Sequence, residues 1–399
     1  MKLLAISEHY FPRVGGTVNY VHETLCALAA LGVETELLVP GPAPEKWEPQ
    51  GMTELPYTVS WIDANYPAKG DPNRNQRYDF CRQVNSHALE RAKHSNRPDI
   101  LHVLFGLFAM EVLNTGHLRA AGLPCLATVH NVPPMECRQT AHNASLPARM
   151  KEELRLMAVA LKNRQRLRRN HYDRLIVPSE QVKNFLSRVT KDPVVTIGHG
   201  LTSELQAQMV PPATRRPNGR VRLLTVGGYA PHKRQHIIPK TAQILSDAGL
   251  DFVWEVVGPS GRVRGYFNDI RTNIEMRGLT DKVLLNASVP FRELGSLYDQ
   301  ANIYVQPSIE EGFCLTALDA AAAGLPVIGC PAGALPAIIE ASGGILVKSA
   351  PRSLAEAIST FVHDNLWQEA SSQIGHVKAS FSWEKAAIEL KSHYDRLTA

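Results

Sequence analysis

The chain has 399 residues, 44% of them hydrophobic and 20% charged, and a formal net charge of +5. That length predicts two domains rather than one, and that composition excludes a disordered chain. A charge of +5 over 399 residues does not argue for nucleic acid, though it tolerates an anionic ligand or an acidic membrane surface.

The chain starts Met-Lys-Leu-Leu-Ala-Ile-Ser-Glu, an apolar run too short for a signal peptide and better read as a first buried strand. Strand-like runs then alternate with helix-length amphipathic segments. The first half is predicted to hold strands at 3–7, 35–39, 100–105, 125–130, 174–178 and 194–197. The second is predicted to hold them at 222–227, 252–258, 282–287, 303–306, 326–330 and 345–348. These runs are continuously apolar, as in parallel strands covered on both faces. Their alternation with helices predicts an α/β chain of two doubly wound sheets. The proline-rich polar stretch at 211–219 is the predicted linker, giving domains at 1–210 and 211–382. Residues 42–85, with Trp47, Tyr57, Trp61 and Tyr66, fit the alternation poorly and read either as an ornamented loop containing some strand or as part of an acceptor pocket.

Six scattered cysteines (Cys26, Cys81, Cys125, Cys137, Cys314, Cys330), with no Cys-x-x-Cys, read as reduced core thiols of a cytoplasmic protein. There is no zinc spacing and no Asp-x-Asp pair, so neither a metal nor another cofactor is expected. No apolar run reaches the length of about 18 residues that a membrane helix needs.

The most informative segment is 308–324, Ser-Ile-Glu-Glu-Gly-Phe-Cys-Leu-Thr-Ala-Leu-Asp-Ala-Ala-Ala-Ala-Gly. Glu311 stands at a glycine turn after a buried strand, Asp319 lies inside the helix that follows, and Gly324 and Pro326 stop that helix. A strand, an acidic turn and a helix N-terminus form a polar site at the carboxyl edge of a sheet, where open α/β sheets bind ligands. The unpaired amides and partial positive charge of the helix start suit a phosphate. The plainer reading of Glu311 is a carboxylate complementing the helix dipole, and of Asp319 a half-buried polar residue on an alanine-rich helix.

With that segment go Gly15-Gly16 after the first strand, Leu-Thr-Val-Gly227-Gly228-Tyr-Ala-Pro-His-Lys233, and Phe381-Ser-Trp383 leading into a last helix. Together, and in this order, these marks resemble the retaining glycosyltransferases of family 4. The resemblance covers nearly the whole chain. It implies the GT-B fold: two Rossmann-like domains facing across a deep cleft, with a last helix, about 383–399, returning to the first domain. It implies a nucleotide-sugar donor, UDP first with GDP and ADP open, and an acceptor hydroxyl of unread identity on a glycan, a lipid-linked acceptor or a small molecule.

The resemblance also assigns roles. Lys233 would stabilise the leaving diphosphate. Glu311, preferred to Glu310 by its place before Gly312 and Phe313, would take hydrogen bonds from donor sugar hydroxyls, aided by the amides of Gly312, Phe313, Cys314 and Leu315. Asp319, where relatives carry glutamate, would grip the ribose. Gly15, Gly16 and Gly227 would let backbone approach the donor. His130 would contact the sugar or stabilise charge near the anomeric carbon, with His9, His199 and His232 on similar edges. The family's arginine after the first glycine is replaced by Gly228, leaving Arg234, Arg262 or Arg264 to substitute. Some relatives dock on anionic membranes through a basic helix, which makes residues 151–171 a candidate peripheral contact at the inner membrane face, against the more common reading of a solvated charged face. The competing readings are an epimerase or hydrolase of nucleotide sugars on the same scaffold, and a non-catalytic partner subunit.

Overall fold

The structure, a computed structural model, describes residues 1–11, 15–43, 54–64, 66, 72–131, 145–210, 215–260, 263, 265–287, 289–364, 366–367 and 372–399. Trp47, Cys137, Arg262 and Arg264 lie outside the described residues, as do 211–214 of the predicted linker. Two compact units emerge. Unit 1 comprises Met1–Val132, Leu161–Gly200 and Ser382–Ala399, and unit 2 comprises Pro133–Ala160 and Leu201–Phe381.

Unit 1 holds a wholly parallel sheet of β1 (Lys2–Ser7), β2 (Glu34–Pro40), β3 (Thr58–Ile62), β4 (Ile100–Phe105), β5 (Cys125–Thr128), β6 (Arg174–Val177) and β7 (Val194–Thr196), in the order β3-β2-β1-β4-β5-β6-β7. Leu3, Leu4, Ala5 and Ile6 of β1 are at most 1% exposed, because helices cover both faces of a central parallel strand. β3 is the strand hidden in the irregular 42–85 region. It pairs with β2 from Glu36↔Thr58 to Pro40↔Ile62 and is only half-buried. Helix Arg74–Arg91 follows, started by a reciprocal Asn73–Gln76 capping box. Tyr57 and Tyr66 from this region are buried, and the Tyr57 hydroxyl bonds His22 Nδ1 at 2.7 Å and also meets the Tyr10 hydroxyl. The last helix, Trp383–Thr398, packs on helix Gly16–Ala30, with Trp383, Ala387, Leu390 and Tyr394 in the same core as Tyr20, Val21 and Leu25.

Unit 2 holds β8 (Val221–Val226), β9 (Phe252–Val257), β10 (Val283–Asn286), β11 (Ile303–Gln306), β12 (Val327–Gly329) and β13 (Ile345–Leu346), also parallel, in the order β10-β9-β8-β11-β12-β13. In both sheets the chain starts in the middle, winds outward one way, then jumps back and winds the other. That makes β1/β4 and β8/β11 the topological switch points, where crevices open at the carboxyl ends of the strands. The chain returns to unit 2 at Leu201, and Leu205 and Met209 belong to the core that contains Tyr298 and Leu318. Among the described residues no helix is long and apolar enough to cross a membrane, and Cys26, Cys81, Cys125, Cys314 and Cys330 are free thiols.

Candidate active site

Unit 2 brings two predicted residues together at its switch point. Lys233 closes a single helical turn, Pro231–Lys233, seven residues after β8, and Glu311 follows β11 by five. Lys233 Nζ donates to Glu311 Oε2 at 2.6 Å. The other carboxylate oxygen, Oε1, accepts from Gln306 Nε2 at 2.9 Å. Gln306 is itself fixed: its amide donates to Ser308 Oγ at 2.7 Å and its oxygen accepts the Tyr304 hydroxyl at 2.8 Å. Burial alone would raise the Glu311 carboxyl. The Lys233 charge and hydrogen bond, with help from Ser308 and His232, outweigh it and hold the carboxyl below its ordinary value. Glu311 is therefore an anion at neutral pH, held by an ammonium whose side chain is 22% exposed and can reach a ligand.

The loops are shaped for close approach. Gly258 sits at φ +154°, and a Cβ there would stand 2.2 Å from the Gly227 carbonyl oxygen. Gln235 laces the Gly227–Lys233 turn, donating to the carbonyls of Gly227 at 3.3 Å and Gly228 at 3.0 Å. At Gly228 an added Cβ would meet Pro259 at 3.6 Å, an ordinary contact, so the position admits a side chain. Among the described residues only two non-glycine positions lie in the left-handed region, Arg234 at φ +57° and Cys314 at φ +81°. Each costs about 1–3 kcal/mol, and such strain clusters at ligand sites. Both flank the pair: Arg234 follows Lys233, and Cys314 caps helix Leu315–Ala322. Burial pushes the Cys314 thiol up, so it stays protonated. The Leu315 amide is among those the helix start cannot satisfy from within. Glu310 is as buried as Glu311, but the Lys233 contact belongs to Glu311.

Asp319 lies inside that helix as predicted, but it is only 4% exposed and already engaged. Its carboxylate accepts from the Thr202 amide at 3.2 Å and the Thr202 hydroxyl at 3.1 Å. At the far end of the helix, Gly324 takes φ +79° and the Leu325 amide returns to the Ala320 carbonyl at 3.0 Å, the glycine stop read from the sequence.

Unit 1 presents a different edge. Gly15 caps helix Gly16–Ala30, its carbonyl accepting from Val18 and Asn19, with open space where a Cβ would project. His130 follows β5. Its Nε2 meets the Leu104 carbonyl at 2.8 Å, so that nitrogen carries the proton and Nδ1 is the acceptor. Burial lowers its pKa to about 4, which leaves the ring uncharged at neutral pH and therefore unable to supply positive charge. The Tyr20 ring packs edge-on to it, with centroids 4.4 Å apart, and His199 stacks on Trp383. His102 joins this group, bonding the Tyr394 hydroxyl at 2.6 Å and Thr128 at 2.9 Å.

Sequence reasoning missed several residues here. Glu8, immediately after β1, is 1% exposed; its Oε1 accepts the Ala109 amide at 2.9 Å and its Oε2 faces Arg77 at 3.5 Å. Gly106, at φ +141°, exists for this carboxylate, since a Cβ there would stand 2.3 Å from it. The available signal was a charged residue directly after a buried strand, which marks a carboxyl edge. Gln306 and Ser308 were passed over as strand and strand end.

Residues 14–205 match the family model for Glycosyltransferase Family 4, and residues 210–377 match that for Glycosyl transferases group 1. A D-inositol 3-phosphate glycosyltransferase of Streptosporangium roseum is 31% identical over 183 residues, which is 43% of this chain and 41% of the relative's length. Sucrose-phosphate synthase from Thermosynechococcus elongatus superposes with a TM-score of 0.73 at 23% identity, covering 99% of this chain and 98% of that one. HepE of Anabaena, solved with UDP and glucose, superposes with a TM-score of 0.69 at 15% identity, covering 99% of this chain and all of that one. The chain belongs to glycosyltransferase family 4 and has the GT-B fold.

Proposed function

We propose that the protein transfers a sugar from a nucleotide-sugar donor, with UDP as the nucleotide, to an acceptor hydroxyl with retention of anomeric configuration. One observation carries this: the Lys233–Glu311 pair, 2.6 Å apart, at the carboxyl ends of β8 and β11. An ammonium beside a buried carboxylate matches a ligand that carries phosphate next to sugar hydroxyls. The UDP and glucose found with HepE support this donor class for a chain of the same fold.

In this reading Lys233 turns from Glu311 to the diphosphate, and Glu311 takes sugar hydroxyls in exchange. The amides of Gly312, Phe313, Cys314 and Leu315 face the donor, and Gly227 gives the backbone room. Asp319 reaches the ribose only by sharing or releasing Thr202, which costs part of two hydrogen bonds. Arg234 supplies the second phosphate cation that Gly228 does not. The bond from the anomeric carbon to phosphate oxygen breaks, the bond to the acceptor oxygen forms on the same face, and the departing diphosphate takes the acceptor's proton. Stabilising that leaving group is the main task, and fixed donors in a dry site do this well. The scheme needs no metal.

Unit 1 takes the acceptor. Gly15 and Gly16 offer helix amides to phosphate. His130, neutral with Nδ1 as acceptor, receives a hydroxyl hydrogen. Incubation with α-linked UDP-sugars and candidate acceptors, read by the anomeric coupling of the product in NMR, tests the proposal. An α-product formed equally in EDTA is expected. A β-product contradicts retention. Donor turnover without acceptor points to the epimerase or hydrolase, and donor binding with no turnover to the non-catalytic subunit.

A further inference from the structure

A line of polar side chains crosses an otherwise apolar core of unit 1. His102 is fully buried, on the face of β4 whose other members, Ile100 and Leu104, belong to that core. An imidazole there needs a partner for each nitrogen, and both have one. Its Nδ1 meets the Tyr394 hydroxyl at 2.6 Å, and its Nε2 meets the Thr128 hydroxyl at 2.9 Å. The Thr128 hydroxyl also meets that of Tyr20 at 3.1 Å. The line therefore starts on the last helix, Trp383–Thr398, crosses β4 and β5, and ends on helix Gly16–Ala30. Its four members are at most 5% exposed, so none of these bonds is shared with solvent.

The far end of the line meets the histidine that the proposed reaction uses. Tyr20 touches Thr128 through its hydroxyl and His130 through its ring, with centroids 4.4 Å apart and planes at 81°. His199 packs against the same tyrosine ring at 4.7 Å and against His130 at 5.8 Å. The hydrogen bond from His130 Nε2 to the Leu104 carbonyl, at 2.8 Å, fixes one corner of the imidazole. A ring held at one corner can still swing about it, and a neighbouring ring of fixed orientation stops the swing. A tyrosine ring held by packing alone can rock. Tethered at its hydroxyl, it cannot.

We infer that Tyr20 is a positioning residue for His130, and that the relay Tyr394–His102–Thr128 fixes Tyr20. The inference rests on the reading of His130 as the group whose Nδ1 receives a hydroxyl hydrogen. The plainer role for the relay is a polar staple that holds the last helix to the sheet. Apolar packing already serves that end through Trp383, Ala387 and Leu390. A staple would also be complete at His102, whereas the line runs on through Thr128 to Tyr20. Buried polar groups are costly when one partner is missing, and a fully paired network selects a single arrangement. Here the arrangement selected is the one that sets the tyrosine ring against His130.

The test reads His130 directly. The full chain with isotope-labelled histidine gives long-range proton–nitrogen correlations for each imidazole, and His130→Gln assigns the signal. The wild type is expected to show one tautomer at His130, with the proton on Nε2. Tyr20→Phe removes the tethered hydroxyl and keeps the ring. Thr128→Val removes the hydroxyl that Tyr20 and His102 share, and Thr128→Ser keeps it. In Tyr20→Phe and Thr128→Val the His130 signals should broaden or mix tautomers. Their kcat should fall about tenfold or more with donor KM unchanged, since a misplacement of about 1 Å costs up to about 10²-fold. Thr128→Ser should restore both readouts. Melting temperatures check folding, and Tyr20→Phe leaves His102 fully paired if Thr128→Val proves unstable. The imidazole signals decide the inference without turnover, so a protein that transfers no sugar counts against the proposed reaction and not against this positioning. Unaltered His130 signals in Tyr20→Phe overturn the inference, and so does equal disturbance by Thr128→Ser and Thr128→Val.

Discussion

The two sheets share a winding plan, yet their carboxyl edges are chemically opposed. Unit 2 places a formal charge pair, Lys233 and Glu311, at its switch point, with left-handed Arg234 and Cys314 beside it. Unit 1 carries at its edge imidazoles kept neutral by burial, His130 at about 4 and His199 well below its ordinary value, with His102 at about 3 in the strand behind them. Fixed charge suits a phosphate, whose charge grows as the glycosidic bond breaks. Neutral acceptors and donors suit hydroxyls, which would compete poorly against a buried ion. In the proposed reaction the residues at the two rims would divide the labour.

The sharpest way to break this contrast is to remove the cation. Lys233→Ala should lower kcat/KM by about 10²–10³, the usual cost of losing one donor to developing charge. Steady-state kinetics with saturating acceptor checks it. Loss of less than about threefold would return Lys233 to the role of a structural partner of Glu311.

A second prediction concerns what fixes the donor helix. Arg215 is 1% exposed and donates to the carbonyls of Tyr298, Asp299 and Ala301, and also to that of Ala323, so it satisfies the ends of two helices at once. Arg215→Ala should destabilise unit 2 by about 3 kcal/mol, through unsatisfied carbonyls and a cavity. Urea unfolding followed by hydrogen exchange should place the loss in unit 2 and leave unit 1 protected.

Acid should separate the units. A buried histidine with a depressed pKa stays unprotonated while the unfolded chain takes up a proton, so its contribution is complete above about 6.5 and is lost as pH falls toward 4. At pH 5, His130 and His102 should each cost roughly 2 kcal/mol, since one pH unit is worth 1.36 kcal/mol. The Glu311 carboxyl is lowered, so its contribution persists above the ordinary carboxylate pKa of 4.5 and fails only as pH drops through the folded value. Amides of unit 1 should therefore lose protection before those of unit 2 during acidification. The reverse order would contradict the assignment of neutral imidazoles to one unit and a paired carboxylate to the other.

The mildest change adds rather than removes. Gly228 has room for a side chain against Pro259. Gly228→Arg should place a second cation by the diphosphate and lower donor KM by up to about tenfold, consistent with 1.5–3 kcal/mol for a charged hydrogen bond less the entropy of fixing the chain. An unchanged KM would mean that Arg234 already fills that role.

Much of this was legible in the sequence, for identifiable reasons. Central parallel strands are apolar on both faces, so runs such as Ile100–Phe105 and Ile303–Gln306 announce themselves with correct ends. β3 did not, because an edge strand is half-buried and Thr58–Ile62 mixes threonine, serine and tryptophan with aliphatics. Glu311 could be named from its turn and Lys233 from the family resemblance, but their mutual contact joins residues 78 positions apart and has no local signal. Arg215 sits in a proline-rich polar stretch that reads as linker; only the packed structure reveals that two helix ends converge on it. Asp319 was located correctly on its helix, and its two bonds to Thr202 were beyond sequence reasoning.

The central claim is that the Lys233–Glu311 pair of unit 2 receives a nucleoside diphosphate. Titration calorimetry of UDP and UMP against the wild type and Lys233→Ala tests it most directly. The account predicts that the wild type binds UDP at least tenfold more tightly than UMP and that Lys233→Ala loses most of that preference. A variant that keeps the full preference for the diphosphate would contradict it.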